Sequence, residues 1–222
     1  MMLWPSAAVS AVRTEPKLSR LLEIRKGVTA VIGSGGKTSL LGTLARELEG
    51  TVIVCTSTHI FPAEGLPLYT GCLETMPAER ICVGTPTEHG KLSAPQQSFA
   101  ELAKLADYVL VEADGSKQLP LKAHLDYEPV IPDCADQVIQ VVGLSGMGKP
   151  ICKAAHRPER YAQICGCAVT DVAIPERMAR VLNTEALADR YVLNQADDEE
   201  ERKWGLTLMG LLRKPAVLTK LK

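Results

Sequence analysis

The feature that most constrains the fold is a glycine-rich turn that separates a strand-like run from a helix-like run. Residues 28–32 (VTAVI) are apolar and largely β-branched, which predicts a short buried strand. Residues 33–39 (GSGGKTS) interrupt this run, and leucine and alanine then recur with helical spacing as far as Leu48. A strand, a glycine-rich turn and a helix in this order are typical of a loop that binds nucleotide phosphates.

Each residue type in this turn has a chemical use in phosphate binding. Glycines let the backbone turn sharply and approach an anion without a Cβ clash, and the amides at the start of the following helix point at phosphate oxygens. A lysine places a cation against the β and γ phosphates, and the hydroxyl after it can bind Mg²⁺. The predicted phosphate-binding residues are Gly33, Ser34, Gly35, Gly36, Lys37, Thr38 and Ser39.

The spacing of this turn is shorter than the common G-x-x-x-x-G-K-[ST] pattern, because only two residues separate Gly33 from Gly36. An ordinary strand–turn–helix with a surface lysine is the alternative interpretation. The strand before the turn and the amphipathic helix after it favour the functional one.

A second candidate element is a strand-like run that ends in two carboxylates. Residues 108–111 (YVLV) predict a buried strand, and Glu112 and Asp114 follow at its carboxyl end. Open α/β sheets bind ligands at that end of their strands, where a carboxylate can hold Mg²⁺ or polarise an attacking water. We therefore expect Lys37, Glu112 and Asp114 to be catalytic. Thr38, Glu112 and Asp114 are the predicted metal ligands, and solvated carboxylates in a capped loop are the alternative.

Two further groups of residues are candidate nucleotide or substrate contacts. Residues 56–59 (TSTH) end the second predicted strand, so the Thr58 hydroxyl is expected to contact the γ-phosphate or a water on Mg²⁺. Lys122, His156 and Arg157 are expected to bind phosphate or an anionic substrate. The alternatives are a surface lysine and a helix that starts at the proline after Arg157.

A late strand-like run ends in residues 194–197 (NQAD), where GTP-binding proteins carry N-K-x-D. Asp197 is expected to accept two hydrogen bonds from a guanine edge, while Asn194 braces the loop. Gln195 replaces the usual lysine, whose stem would cover the base. The alternative is a helix N-cap, a position that favours Asn and Asp.

Together and in this order, the motifs resemble the YqeC-type accessory proteins of selenium-dependent molybdenum hydroxylases. The resemblance runs from about Lys17 to about Leu218 and rests on residues 33–39 (GSGGKTS), 111–116 (VEADGS), 120–122 (PLK), 128–132 (EPVIP), 148–150 (GKP), 156–159 (HRPE) and 193–197 (LNQAD). It implies a cytoplasmic P-loop protein that acts in maturation of a selenium-containing cofactor.

Two other resemblances concern the nucleotide. The short phosphate loop resembles that of Mur ligases, which use ATP, whereas the chain order of the motifs resembles metal-insertion GTPases. The expected cofactors are therefore Mg²⁺ with ATP or GTP, and Asn194 and Asp197 favour GTP slightly.

Alternating strand-like and helix-like runs predict an α/β, three-layer P-loop NTPase-like fold with a mainly parallel sheet flanked by helices. The 222 residues fit a single domain, with residues 1–16 as a loosely ordered arm and residues 144–189 as a helical or irregular insertion. Aromatic residues make up only 4% of the chain, so the core must rest on Leu, Val, Ile and Ala, as in a buried parallel sheet.

Charge and hydropathy exclude several classes of partner. The net charge is -1 and no long basic run is present, so no nucleic-acid partner is expected. No apolar stretch approaches the ~20 residues that span a bilayer, so no membrane partner is expected. Seven scattered cysteines favour a reducing compartment, and the predicted location is the cytoplasm.

Three functions fit these observations. The leading hypothesis is an accessory factor that binds and hydrolyses a nucleoside triphosphate, with a selenium-dependent molybdenum hydroxylase or its cofactor as partner. The second is a phosphoryl- or nucleotidyl-transferase that acts on a pterin cofactor or a selenium compound, with Lys122, His156 and Arg157 holding the acceptor. The third is a non-catalytic adaptor with a vestigial phosphate loop.

Overall fold

A computed structural model describes residues 16–221 and gives them a three-layer α/β fold. The strands are β1 (Gly27–Gly33), β2 (Val52–Thr56), β3 (Leu68–Tyr69), β4 (Arg80–Val83), β5 (Thr85–Pro86), β6 (Leu92–Ser93), β7 (Tyr108–Glu112), β8 (Leu121–Lys122), β9 (Gln137–Gly143), β10 (Ala155–His156), β11 (Arg190–Asn194) and β12 (Ala216–Leu218). The helices are α1 (Leu18–Leu21), α2 (Lys37–Glu47), α3 (Phe99–Leu105), α4 (Ile151–Ala154), α5 (Pro158–Cys165), α6 (Pro175–Glu185) and α7 (Glu199–Leu211). Except for Pro16, the predicted N-terminal arm lies outside the described residues.

The main sheet has eight strands in the order β12-β11-β9-β1-β7-β2-β4-β3, and every pairing in it is parallel. Strand β1 is central: Thr29 lies opposite Leu110 of β7 on one side and Gln137 of β9 on the other. Two small sheets pair β8 with β10 and β5 with β6. The predicted α/β fold with a mainly parallel sheet is confirmed.

Alternate residues of the strands pack under different helices, which is why the strand sequences are apolar throughout. On one face, Val31 and Leu110 belong to the core that contains Leu44 of α2. On the opposite face, Val28 and Val109 pack with the core that contains α3. The helices therefore form one layer on each side of the sheet.

Residues 144–189 connect two neighbouring strands, β9 and β11, and contain α4, α5 and α6 together with the short strand β10. Met178 and Leu182 of α6 share an apolar core with Tyr191 and Leu193 of β11. The segment is thus largely helical, and part of it completes the layer over this half of the sheet.

Capping residues fix the starts of α3 and α7. The side chains of Ser98 and Asp198 each accept a hydrogen bond from the backbone amide three residues later. The Glu101 and Glu201 side chains accept one from the amides of Ser98 and Asp198, which completes a capping box in each helix. Asp198 therefore caps α7, so the alternative that Asn194 or Asp197 serves as its N-cap is wrong. None of the helices within residues 16–221 has the length and apolar character needed to cross a membrane.

Candidate functional site

The predicted chemistry-bearing residues meet at one edge of the sheet. Because the strands of the main sheet are parallel, their carboxyl ends all lie at this edge. Five neighbouring strands end there in Gly33, Thr56, Glu112, Gly143 and Asn194. The site therefore lies where open α/β sheets bind ligands.

The phosphate loop needs its glycines. Gly33, Gly35 and Gly36 have φ values of 90°, 86° and 122°, a region that side chains other than glycine rarely adopt. A Cβ on Gly35 would also overlap the backbone of Gly143. Helix α2 begins immediately afterwards, at Lys37, with no side chain hydrogen-bonded at its N-cap within the described part of the chain. Its first amides are therefore open to an anion.

Ser34 supplies an independent test of fit to a phosphate. Its side chain is only 1% exposed, and its Oγ has no hydrogen-bond partner among residues 16–221. Buried polar atoms are normally paired, and an anion in the loop would provide the missing acceptor. The donor set of the loop thus fits a phosphate group.

Lys37 is enclosed by acceptors from the strand ends. Its Nζ donates to the Gly33 carbonyl over 2.7 Å and lies 3.0 Å from Asp114 Oδ1 and 3.7 Å from Glu112 Oε1. The side chain is only 4% exposed. Both carboxylates therefore face the same side, toward Lys37, as their two-residue spacing predicts.

Glu112 and Thr38 form the part of the site that best suits a cation. Thr38 Oγ1 is 3.4 Å from Glu112 Oε2, and Thr38 is exposed. Burial raises the pKa of Glu112 above its ordinary value, against the lowering effect of Lys37. Within the described residues no cluster of three His, Cys, Asp or Glu could hold a metal alone. Mg²⁺ here would therefore need phosphate and water oxygens in addition, which is its usual manner of binding.

Asp114 is more fully occupied by the protein itself. Its Oδ2 accepts a hydrogen bond of 2.8 Å from the Gly33 amide, and lies 3.0 Å from His124 Nε2 and 3.1 Å from Lys122 Nζ. Burial would raise the pKa of Asp114, but the hydrogen bond with His124 and the charges of Lys37 and Lys122 lower it to about 2. A cation could contact Asp114 only by displacing these groups, so the contacts favour Glu112 over Asp114 as the metal carboxylate.

Lys122 lies beneath the site rather than on its surface. It is 1% exposed, and its ammonium contacts the Gly115 carbonyl at 2.7 Å, Glu128 at 2.9 Å and Asp114 at 3.1 Å. The alternative interpretation of Lys122 as a surface lysine is wrong. Since three acceptors already use its three protons, an anion could bind Lys122 only by replacing one of them.

His156 and Arg157 lie beside Lys122 because β10 pairs with β8, which places His156 opposite Lys122. Burial and the neighbouring charges of Lys122 and Arg157 lower the pKa of His156, which favours its neutral form. Arg157 donates to Glu128 over 2.8 Å, and α5 starts at the following residue. Both predicted residues therefore lie next to the site, and Arg157 already has a carboxylate partner.

His124 is a residue that the sequence did not single out. Its Nε2 lies 3.0 Å from Asp114 Oδ2 and its Nδ1 2.8 Å from Glu185 Oε2. Burial would lower the pKa of His124, but its hydrogen bonds to Asp114 and Glu185 raise it above the ordinary value. His124 thus joins Asp114, in the loop after β7, to Glu185 at the end of α6.

The remaining predicted residues are Thr58, after β2, and Asn194 and Asp197, at and after the end of β11. Thr58 lies just beyond the end of β2, and its amide donates a hydrogen bond of 2.9 Å to the Thr56 hydroxyl. Asn194 donates over 2.9 Å to the carbonyl of Gly35, so it does brace the phosphate loop. Asp197 is exposed at the same edge, 3.5 Å from Lys220 Nζ.

The fold and this site define the class of the protein as a three-layer α/β protein of the P-loop type. The family model for the YqeC protein matches residues 29–159, and the chain belongs to that family. It is also 33% identical over 159 residues to the uncharacterized protein YqeC of Escherichia coli (strain K12), a match that covers 64% of this chain. The matched region spans 62% of the length of that relative.

Proposed function

We propose that this protein binds a nucleoside triphosphate with Mg²⁺ and that hydrolysis of the nucleotide gates a step in maturation of the selenium- and molybdenum-containing cofactor of a hydroxylase. The observation that carries the nucleotide part is the position of Lys37, between an open glycine loop and two strand-end carboxylates. The setting of cofactor maturation comes from the sequence resemblance alone.

Each part of the site has a task in this proposal. The amides of the loop and Lys37 bind the phosphates, and Lys37 exchanges its contacts with Asp114 and Glu112 for phosphate oxygens. Thr38 and Glu112 hold Mg²⁺, which supplies positive charge against the charge of the phosphates. Asp114 keeps Gly33 in place through its hydrogen bond, and its ion pair holds Lys37 until the nucleotide binds.

The first test is triphosphate binding by the Lys37→Ala variant. We expect calorimetry to show Mg²⁺-dependent binding of ATP or GTP by the wild type and at least about tenfold weaker binding by the variant, because one charge-assisted contact contributes ~1.5–3 kcal/mol. Lys104→Ala, which removes an exposed lysine from α3, is the matched control and should bind like the wild type.

Two further measurements make this test decisive. Lys37→Ala leaves Glu112 and Asp114 facing each other, so thermal unfolding must show that the variant is folded. Thr38→Val keeps the ion pairs of Lys37 and should lose the Mg²⁺ dependence of binding. A wild type that binds no triphosphate, or equal affinity in wild type and Lys37→Ala, would remove the proposal.

Product analysis and co-purification test the rest. Release of free phosphate supports hydrolysis, whereas a phosphorylated or nucleotidylated acceptor supports the transferase alternative. Selenium, molybdenum and nucleotide should all be measurable on protein isolated together with its hydroxylase, and a complex without selenium and molybdenum would contradict the maturation role.

A further inference from the structure

A cavity of about 490 Å³ opens beside the phosphate loop on the side of β2. Its lining begins at Thr38, Ser39 and Glu112 and continues along helix α2 and residues 60–66. The volume lies within the range of roughly 300–1,000 Å³ that is common for small-molecule sites. Most of the phosphate loop does not line it, so the cavity adjoins the proposed phosphate site and shares only Thr38, Ser39 and Glu112 with it.

Helix α2 presents an unusually bare surface to this cavity. Thr38, Gly42 and Arg46 are four residues apart and therefore lie along one stripe of the helix. Glycine weakens a helix interior relative to alanine, yet a Cβ on Gly42 would meet only the end of the Arg46 side chain, at 3.4 Å. Neighbouring helices do not require glycine here. The Arg46 guanidinium lies over Gly42, and a larger side chain at position 42 would push it toward the cavity.

The opposite wall is apolar and held in place. Ile60, Ala63 and Leu66 line it, and backbone hydrogen bonds of 3.0 and 2.7 Å join Ile60 to Leu92. Phe61 stands at the rim with 60% of its surface exposed, and Lys91 Nζ lies 5.3 Å from the centre of its ring. A ligand in the cavity would cover this exposed apolar surface.

Arg46 is the cationic side chain that lines the cavity. Arg46 is exposed, and within residues 16–221 its guanidinium forms no ion pair and donates only to Thr43, over 3.1 Å. Glu64 also lines the cavity, and among residues 16–221 it forms no ion pair with Arg46. A guanidinium in this position suits a carboxylate, sulfonate or phosphate substituent.

We propose that the cavity between α2 and residues 60–66 binds a second small molecule that has an apolar ring body and an anionic substituent. The ring lies against the stripe formed by Thr38, Gly42 and Arg46, and the anionic group pairs with Arg46. The assignment of this molecule as an acceptor or cargo rests on the proposed nucleotide function, whereas its binding rests on the cavity alone.

The experiment uses 8-anilinonaphthalene-1-sulfonate, a fluorescent probe with aromatic rings and one sulfonate. We expect saturable binding of one probe molecule to the wild type, and affinity weakened by about tenfold or more in Gly42→Leu, because the leucine fills the space. Gly42→Ala is the matched control and should retain the probe. Arg46→Met should weaken binding because the cation is lost. Triphosphate binding should be unchanged in all three variants.

The two proposals fail in distinguishable ways. Equal probe affinity in wild type and Gly42→Leu would overturn the cavity proposal, whether or not triphosphate binds. Probe binding that Gly42→Leu abolishes, in a protein that binds no triphosphate, would support the cavity and overturn the proposed function. Ala63→Leu fills the cavity from the opposite wall, so it provides the same test if Gly42→Leu does not fold.

Discussion

Glu112 and Asp114 are two residues apart and carry the same type of side chain, yet their surroundings act on them in opposite directions. Burial dominates at Glu112 and raises its pKa. At Asp114, His124 and two lysines outweigh burial and lower the pKa to about 2. Asp114 is thus held as an anion that neutralises buried cations, whereas Glu112 borders the cavity and the exposed Thr38.

This difference predicts different losses in two matched variants. Asp114→Asn should destabilise the protein by about 3–5 kcal/mol, since it removes the negative charge that Lys37 and Lys122 share and leaves the buried positive charge in excess. Glu112→Gln should change stability little and should abolish the Mg²⁺ dependence of triphosphate binding. Urea unfolding and Mg²⁺ titration measure the two effects. Equal stability of the two variants would contradict the separate roles.

At the scale of elements, the segment at the end of β11 both braces the phosphate loop and presents a carboxylate to solvent. Asn194 faces inward: it donates to Gly35 and accepts hydrogen bonds from Thr219 and the Leu221 amide. Asp197 faces outward, and α7 is capped separately by Asp198. Since Asp197 is not needed as the cap, its carboxylate can contact a ligand at this edge in exchange for its exposed ion pair with Lys220.

Asp197 leads to a prediction about the base. GTP should bind more tightly than ATP, because a guanine edge presents two donors to the carboxylate and an unpaired desolvated group costs ~1–3 kcal/mol, roughly a five- to hundred-fold preference. Asp197→Asn should weaken GTP binding and spare or improve xanthosine triphosphate. Competition against a fluorescent nucleotide measures this. The neighbouring Asp198→Asn keeps a good N-cap and serves as control; equal competition by ATP and GTP would refute the prediction.

At the scale of the whole molecule, His124 joins two regions that are distant in the chain. Its ring contacts Asp114 beside the phosphate loop and Glu185 at the end of α6, while Arg160 of α5 donates to its backbone carbonyl. The helical segment between β9 and β11 is thereby tied to the residue that positions the phosphate loop.

The raised pKa of His124 predicts a pH dependence of stability. The pKa of His124 is higher in the folded than in the unfolded protein. Its contribution to the free energy of unfolding is therefore fully present at pH values below the unfolded-state pKa, and it is lost as the pH rises through the folded-state pKa. The wild type should therefore lose stability above about pH 6.5, and His124→Gln should have a flatter profile there. Urea unfolding across pH 6–8 measures it. The exposed His59→Gln should keep the wild-type profile, and parallel profiles for wild type and His124→Gln would contradict the prediction.

The phosphate loop and the two carboxylates, Glu112 and Asp114, could be predicted because each group lies at or just after the end of an apolar strand. His124 could not, because its partner Glu185 is 61 residues away and no spacing connects them. The burial of Lys122 also escaped prediction, since β8 and β10 have two residues each and are too short to show a periodic pattern. Local sequence therefore predicts the residues at the edge of the sheet, but it does not predict the buried contacts of His124 and Lys122 beneath them.

The central place of β1 also has a consequence for the growing chain. The strand is synthesised early, but its neighbours β7 and β9 end only at Glu112 and Gly143, and the bracing Asn194 comes later still. Contacts between residues so far apart form slowly. On the ribosome, the phosphate loop therefore reaches its final shape only after Asn194 has been synthesised. Under the proposed function, nucleotide binding is then a late event that follows folding of the sheet.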